Sequence, residues 1–453
     1  MRETFFIIQS KQYMAKVIKL RKGLDINLKG KAALEIASVK CPGEYALCPD
    51  DFYGVKPKVV VREGDAVKVG DALFVDKLHP EVKFVSPVSG TVSMVERGDR
   101  RKLLSIRVQA DGKQEARTFS TKDVKGALME RGRFGFFRQR PYDVVANPDD
   151  KPKAIYVSAF NSMPLSQDFE FALKGNEEAF QAGISALAKL APVRLGVSSK
   201  QSAKALLEAK DCVVNIFQGK APAGNVGVQI NNTDPINKGE VVWTLGAEEV
   251  IFVGRLMLTG KVDFTRVVAL AGSEVKSPKY YKMLVGQKLN TLVEGNAKLD
   301  GSRVINGNVM TGMKSCAEAY LGAHATEINV IPEGDHADEM LGWIMPRFGT
   351  FSTHRSYFSW LCGKKEYVMD ARIKGGERHM IMSGEYDRVF PMDIYAGYLI
   401  KAIIAGDIDR QEALGIYEVA PEDFAVAEFV DSSKLELQRI VRQGLDILRK
   451  ENA

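Results

Sequence analysis

The sequence predicts a multidomain chain that combines α+β and α/β parts. We expect an N-terminal β-sandwich, a parallel α/β sheet, a compact β-rich module and a helical C-terminal region. Two observations carry this prediction: apolar residues alternate around paired Gly-Asp turns over residues 59–92, and strand-like and helix-like segments alternate over residues 153–219. A length of 453 residues with 45% hydrophobic side chains leaves room for roughly two to four domains.

The stretch 59–92 defines the first unit. Gly-Asp pairs at 64–65 and 70–71 form two echoed turns, and a later Ser-Pro turn enters a further strand. Glycine permits the positive φ that tight turns need, and strict alternation is typical of a half-buried strand. This spacing resembles the lipoyl/biotinyl-like β-sandwich. We predict this domain over residues 14–112, with residues 1–13 as an extension.

A lipoyl-type domain carries its modified lysine at a hairpin tip, and Asp76-Lys77 offers such a pair. Only five residues separate Asp71 from Lys77, which is fewer than the lipoyl pattern, and His79-Pro80 follows at once. We therefore interpret Lys77 as a solvated turn lysine, with acylation as the alternative.

Composition excludes several classes of protein. The net charge of +6 is mild for this length and does not predict nucleic-acid binding. No apolar run approaches the roughly 18 residues of a membrane-spanning helix, so we expect a cytoplasmic chain. Cysteines stand at positions 41, 48, 212, 316 and 362 without a C-x-x-C pair, and they predict neither a metal site nor an iron–sulfur cluster.

The second unit is predicted over residues 122–262. Its strand–helix–strand–helix–strand order implies a parallel, Rossmann-like sheet with right-handed crossovers. A connector at residues 130–141 interleaves four arginines with three phenylalanines. Such a pattern either stacks on nucleic-acid bases or packs and pairs internally, and we favour internal packing.

Nucleotide-binding fingerprints are missing from this unit. The glycine-rich loop 218–227 follows the third strand and does not fit G-x-G-x-x-G. Gly260-Lys261 fails as a P-loop, because Arg255 replaces the first glycine and Val262 replaces the metal-binding hydroxyl. The sequence therefore predicts no bound nucleotide.

The remaining residues form two further predicted units. Residues 263–331 suit a β-grasp module of the SLBB type, with a short helix over 283–292. Residues 332–453 become helical at their end. We predict one helix over 393–405 that stops at Gly406, and a closing helix over 433–450 with Ser432 or Ser433 as its N-cap.

Short motifs in a fixed order resemble the NqrA family, which are subunits of Na+-translocating NADH:quinone oxidoreductases, over most of the chain. The layout also resembles RnfC and the FMN-binding subunit of respiratory complex I. The motifs are Lys22–Asp25, Val61–Val92, Arg97–Arg101, Arg140–Tyr142, Ala154–Ala159, Leu258–Gly260, Arg266–Gly272, Gly342–Pro346, Ala405–Asp407 and Ala413–Gly415.

The resemblance implies a peripheral subunit on the cytoplasmic face of a bacterial membrane complex. It implies a contribution to quinone reduction and assembly, with the membrane subunit NqrB as the main partner. The flavins, iron–sulfur centre and NADH site would belong to other subunits, because the loop 131–137 keeps only two glycines where relatives cradle flavin and NADH phosphates. Two family motifs are altered here: Asp431–Lys434 replaces Cys-Pro-Gly-Lys, and Ala221 replaces a histidine.

No catalytic, cofactor or metal residue is predicted, but one stretch is a candidate quinone or partner surface. Residues 346–367 mix aromatic and basic side chains, which suit a membrane interface or a flat ring with carbonyl acceptors. Packing with solvated charges is the alternative interpretation. The candidate residues are Phe348, His354, Arg355 and Trp360, with Phe52 and Lys56 as a second, weaker pair.

Two other functions compete with the quinone-reductase role. A lipoyl or biotin carrier would show a mass shift at Lys77, and a stand-alone flavin- or NADH-dependent oxidoreductase would purify as a yellow protein. We expect the isolated chain to be colourless and inactive with NADH, because it lacks a phosphate loop and grouped cysteines.

Overall fold

A computed structural model describes residues 16–41, 43–119, 122–335, 349–354 and 357–452. The strands in these ranges are β1 (Lys16–Lys19), β2 (Ile36–Ala37), β3 (Glu44–Leu47), β4 (Pro57–Val59), β5 (Ala66–Val67), β6 (Ala72–Asp76), β7 (Lys83–Val85), β8 (Gly90–Arg97), β9 (Leu103–Ala110), β10 (Arg138–Arg140), β11 (Val144–Val145), β12 (Ile155–Ser158), β13 (Val193–Ser198), β14 (Val213–Gln218), β15 (Val242–Gly246), β16 (Thr265–Ala271), β17 (Lys279–Leu284), β18 (Ser302–Asn306), β19 (Met313–Ser315) and β20 (Glu327–Pro332).

The α-helices of the same ranges are α1 (Val124–Glu130), α2 (Phe169–Ala172), α3 (Glu177–Leu187), α4 (Lys204–Leu207), α5 (Val226–Asn231), α6 (Ala247–Thr259), α7 (Asn290–Val293), α8 (Glu385–Val389), α9 (Ala396–Ala405), α10 (Ile408–Ala413), α11 (Ala425–Val430) and α12 (Leu437–Glu451).

The first unit is a β-sandwich, as predicted. One sheet has the order β3-β9-β8-β5 and the other has the order β4-β6-β7. Both Gly-Asp turns are present, because Gly64 and Gly70 have φ near +91° and +92°, and Asp65 and Asp71 accept backbone hydrogen bonds from three residues back. Lys77 is exposed just after β6.

The second unit is a seven-stranded sheet with the order β1-β14-β13-β12-β15-β10-β11. Its first five strands run parallel, and β10 runs antiparallel to β15. The sequence pattern leads Val17–Leu20 into the sandwich. The structure instead places β1 at the edge of this sheet, because an amphipathic strand can complete any free edge and only tertiary pairing selects one.

Helices α3 and α6 pack so closely against each other that their backbones are in contact. A Cβ added to Gly254 would lie 1.6 Å from the carbonyl oxygen of Ala179, and one added to Gly183 would lie 2.2 Å from that of Val250. The two glycines therefore permit a helix contact that no larger residue allows.

The third unit is a six-stranded mixed sheet with the order β19-β18-β20-β16-β17-β2. Strand β2 comes from the N-terminal part of the chain and pairs parallel with β17. The helix predicted over 283–292 is wrong over most of its length, since α7 begins only at Asn290 and Met283 is buried in β17, where it pairs with Arg266 of β16. A buried strand and a buried helix segment cannot be separated by apolar content over so few residues.

The C-terminal region is helical, as predicted. Helix α9 ends at Gly406, whose φ of 71° is the left-handed cap. The closing helix begins at Leu437, not at Ser433. The carboxylate of Asp431 accepts hydrogen bonds from the backbone N–H groups of Ser433 and Leu435, and this local turn competes with helix.

The arginine–phenylalanine connector packs inside the protein, which is the alternative that we favour. Phe134, Phe136 and Phe137 are buried, and the guanidinium of Arg133 lies 3.9 Å from the ring centre of Phe264.

Within the described ranges, no helix has both the length and the apolar character needed to cross a membrane.

Candidate functional site

A cleft of about 740 Å³ lies where the four regions of the chain meet. Its floor is the carboxyl edge of the parallel sheet, with Ser158 at the end of β12 and Gly246 at the end of β15. Strands β13 and β14 are added to the sheet on one side of β12, whereas β15 is added on its other side. The order of strand addition therefore reverses at β12. Open α/β sheets bind ligands at this switch point.

The other walls come from outside the sheet. Asp51 belongs to the first unit, His324 and Glu327 to the third, and Glu422 and Arg442 to the C-terminal region. Seven carboxylic side chains but only three arginines line the cleft among the described residues. The cleft therefore has an acidic lining.

The N-terminus of α6 opens into the cleft, where a Rossmann-type enzyme would bind phosphate. Here the first turn carries Glu248 and Glu249. The carboxylate of Glu249 folds back so far that a Cβ on Gly246 would lie 2.0 Å from its Oε2 atom. A phosphate at this position would meet two carboxylic groups, and the geometry disfavours nucleotides.

Glu249 is held by the third unit. Its Oε1 accepts a hydrogen bond of 2.7 Å from Nη2 of Arg266, and both side chains are buried. The imidazole Nδ1 of His324 lies 3.9 Å from the same carboxylate oxygen. Burial, reinforced by Arg138 and Arg266, lowers the pKa of His324 well below 6.5, so the ring is neutral near pH 7.

Glu248 differs from Glu249 because none of the described arginines forms an ion pair with its carboxyl group, whereas Arg266 pairs with Glu249. Its Oε1 accepts a hydrogen bond of 2.8 Å from Nε2 of Gln167. Burial raises the pKa of Glu248 to about 7, against the smaller effects of Arg266 and Gln167. Burial also raises the pKa of Asp51 to about 6 and raises that of Glu327. The cleft thus holds carboxyl groups that exchange protons near neutral pH.

These values predict a pH dependence of stability. The folded pKa of Glu248, about 7, exceeds the unfolded value of about 4.3, so its contribution is fully present below pH 4.3 and is lost as the pH rises through 7. Wild-type stability should fall more steeply between pH 5 and 8 than that of Glu248→Gln, by at most about 1.4 kcal/mol per pH unit. Urea unfolding at several pH values measures both slopes; parallel curves would contradict the shifted pKa.

The residues predicted from the sequence as a site are not all brought together. Phe52 is buried, with its ring centre 4.6 Å from that of Phe84 and 5.6 Å from that of Phe136, so it lies behind the cleft wall. Lys56 is exposed. The Phe52 ring and the Lys56 ammonium group therefore do not share one surface.

The stretch 346–367 is described only in part, and Phe348 and Arg355 lie outside the described residues. His354 is exposed, and its Nε2 lies 3.8 Å from a carboxylate oxygen of Glu385. Trp360 is 52% exposed in a short 3₁₀ helix over Phe358–Leu361. Its neighbour Leu361 is 62% exposed.

Glu248, Glu249 and His324 did not stand out as site residues in the sequence. One signal was available: two consecutive acidic residues stand one residue after an apolar strand that ends in glycine, at the start of a helix. Acidic residues are common in first helical turns, so this pattern alone does not distinguish a site from a cap. No group of three or more histidine, cysteine or acidic residues could hold a metal ion within the described part of the chain.

Comparisons with protein-family models match three parts of the chain. Residues 18–111 match the NqrA N-terminal barrel-sandwich hybrid domain, residues 119–262 the NqrA second alpha/beta domain, and residues 267–317 the NQRA C-terminal domain. Together these models cover more than half of the sequence.

Several curated proteins are similar along their whole length. The NqrA subunit of the Na(+)-translocating NADH-quinone reductase of Haemophilus influenzae (strain 86-028NP) is 34% identical, with 96% of this chain and 100% of that protein aligned. The proteins of the same name from Yersinia pestis bv. Antiqua and Pasteurella multocida are 33% and 34% identical with the same coverage. Among solved structures, the NAD+-reducing [NiFe]-hydrogenase in the air-oxidized state is 13% identical, covers 66% of this chain and 60% of its own, and has a TM-score of 0.34.

Proposed function

The chain belongs to the NqrA family of subunits of the Na+-translocating NADH-quinone reductase, and from this membership we propose that its cleft holds the quinone head group. The chain is therefore a subunit of an oxidoreductase complex that passes electrons from NADH to quinone. We propose that it binds no cofactor of its own and that the flavins and iron–sulfur centre of the complex belong to other subunits.

The acidic lining of the switch point is the observation that favours quinone over a nucleotide. A quinone ring is flat and uncharged, so the two glutamates of α6 do not repel it. A volume of about 740 Å³ lies within the usual range of small-molecule sites. Phe136 and Phe169 supply apolar surface in the lining, and Arg138 supplies a donor for a quinone carbonyl.

Filling the cleft should lower the rate of quinone reduction without unfolding the chain. A Cβ on Gly322 would lie 3.5 Å or more from Asn306 and Asp51, which is ordinary contact, and a longer side chain would extend into the cleft. In the reassembled complex, Gly322→Leu should lower quinone reduction by about tenfold or more, which corresponds to at least about 1.4 kcal/mol of lost binding. NADH oxidation by an artificial electron acceptor should stay intact.

Gly376→Leu is the matched control, because no atom of the described residues lies within 4 Å of its added Cβ and Gly376 is not among the residues that line the cleft. If Gly322→Leu assembles normally and reduces quinone at the wild-type rate, the quinone does not occupy this cleft. Stoichiometric flavin in the isolated wild-type chain would contradict the proposed absence of cofactors.

We further propose that the exposed aromatic and basic stretch around His354 and Trp360 contacts NqrB, the membrane subunit, on the cytoplasmic face. Tryptophan favours the membrane–water interface and cations are drawn to anionic headgroups. His354→Ala combined with Trp360→Ala should weaken incorporation of the chain into the complex, whereas Gly322→Leu should not. Equal incorporation of both variants would leave the stretch as ordinary packing.

We also propose boundaries and fold types for the four units of the chain. We assign residues 14–112 to the lipoyl/biotinyl-like domain, 122–262 to a Rossmann-like domain, 263–331 to a β-grasp module and 332–453 to the C-terminal region. The parallel order around β12 supports the second assignment. The antiparallel pairs of β16 with β17 and of β18 with β20 support the third.

A further inference from the structure

Reduction of a quinone to a quinol consumes two electrons and two protons. A buried binding site must therefore supply protons as well as hold the ring. In the cleft, some of the buried carboxylates pair directly with arginines: Glu249 pairs with Arg266 at 2.7 Å, and Asp143 pairs with Arg138 at 3.5 Å. An ion pair with a neighbouring cation favours the charged form of a carboxyl group.

Glu248 is placed differently. Its side chain lines the cleft at the switch point, in the first turn of α6, and is 4% exposed. Among the described residues, the hydrogen bond that reaches its carboxyl group comes from the neutral amide of Gln167, which engages Oε1. The amide Nε2 of Gln167 also contacts the carbonyl oxygen of Val267, which fixes its orientation.

We propose that Glu248 donates a proton to the quinone oxygen during reduction in the cleft. This inference rests on the proposed function, since it needs a quinone at that position. It assigns to Glu248 a role that neither the fold nor the family comparison specifies.

The proposed step balances as follows. The quinone receives two electrons that the complex takes from NADH. The carboxyl O–H bond of Glu248 breaks as a new O–H bond forms on one quinone oxygen, and a proton from solvent water reaches the other oxygen. The Glu248 carboxylate then takes a proton from water that enters after the quinol leaves.

The charges that face Glu248 allow both protonation states. Arg266 on β16 and Arg255 on α6 favour the carboxylate, whereas burial and the neighbouring Glu249 favour the acid. The side-chain amide of Gln167 donates to Oε1 of Glu248 and stabilises the carboxylate after proton transfer. The backbone nitrogen of Gln167 lies 3.4 Å from Oε2 of Glu327. A donor whose pKa of about 7 matches the working pH is the most efficient general acid.

Glu248→Gln tests the proposal in the reassembled complex, with a short-chain benzoquinone as the acceptor. Glutamine has nearly the same shape and can still accept the hydrogen bond from Gln167. We expect kcat for quinone reduction to fall on the order of a hundredfold, with KM for the quinone unchanged. In the wild type, kcat should decline as the pH rises through 7 and Glu248 loses its proton, and the residual rate of Glu248→Gln should lack this decline. Glu248→Asp should recover part of the lost rate.

Glu178→Gln is the matched control, because Glu178 is an exposed first-turn carboxylate of α3 on the same sheet. A wild-type rate and pH profile in Glu248→Gln would overturn the proposal while leaving the quinone site intact. Calorimetry of the isolated chain with the same benzoquinone distinguishes the other failure: if neither wild type nor Gly322→Leu binds it, the cleft is not the quinone site and both proposals fall. If Glu248→Gln does not fold, a wild-type profile in Glu248→Asp without any loss of rate also overturns the proton-donor role.

Discussion

Replacing Arg140 with alanine should lower the free energy of unfolding by about 3–5 kcal/mol. Arg140 is 1% exposed at the end of β10, and its guanidinium reaches the C-terminal region. Nη1 lies 3.2 Å from Oδ2 of Asp423, and Nη2 lies 3.1 Å from Oε1 of Glu422. Removing the cation would leave the fully buried carboxylate of Asp423 without its charge partner.

The surroundings of Asp423 explain why the loss should be large. Its carboxylate also accepts hydrogen bonds from the backbone N–H of Ala420 and from the side-chain amide of Asn225. It cannot turn to solvent without breaking both of these bonds. The ion pairs of Arg140 join the sheet to the C-terminal region, and Arg140 and Glu422 both line the cleft, so the variant should also loosen the cleft.

Urea unfolding followed by circular dichroism measures the Arg140 effect. Arg410→Ala is the control, because Arg410 forms an exposed pair with Asp407 and such pairs contribute only about 0–1 kcal/mol. Restoring neutrality with the double variant Arg140→Met, Asp423→Asn should recover part of the lost stability. Equal stability of Arg140→Ala and wild type would show that the buried pair contributes nothing.

Gly254→Ala should destabilise the chain by about 3 kcal/mol or more, although alanine is normally the better helix residue by about 1 kcal/mol. The added methyl carbon would lie 1.6 Å from the carbonyl oxygen of Ala179 and 2.9 Å from the backbone nitrogen of Gly183. Both atoms belong to backbone, so the strain cannot be relieved by a side-chain rotation. Helices α3 and α6 must move apart, and with them the first turn of α6 that carries Glu248.

Gly397→Ala provides the matched helical control. Its added Cβ would lie 3.4 Å from the flexible terminal carbon of Met382, so this variant should be neutral or more stable. Thermal unfolding of the two variants separates the effect of helix propensity from that of the close contact. A gain in stability at Gly254 would show that α3 and α6 are not in backbone contact.

Elements of this fold could be predicted from the sequence wherever the local pattern was strong. The Gly-Asp turns at 64–65 and 70–71 predicted the sandwich, because their positive φ angles and side-chain hydrogen bonds are local properties. Strands β12, β13 and β14 were predicted in order, since buried parallel strands are continuous apolar runs. The glycine cap of α9 was equally local.

Pairing partners were not readable in the same way. Strands β1 and β2 lie close together in sequence, yet β1 completes the parallel sheet and β2 completes the mixed sheet. Edge strands of a few residues carry no signal for their partner, because the free energy of pairing comes from the sheet that they join. Helix α12 begins at Leu437 and not at the predicted Ser433 for a related reason: the Asp431 carboxylate competes for backbone N–H groups that a helix would use.

The sequence by itself determined the order of the units, the family resemblance and the lack of a nucleotide fingerprint, because each of these depends on residues that are near neighbours along the chain. Only the tertiary structure decided the cleft. Asp51, Glu248, His324 and Glu422 are far apart in sequence, and they line one space because the other regions close over the carboxyl edge of the parallel sheet. Their shifted pKa values follow from that enclosure, since burial acts on a carboxyl group or an imidazole only after other parts of the chain have displaced its water.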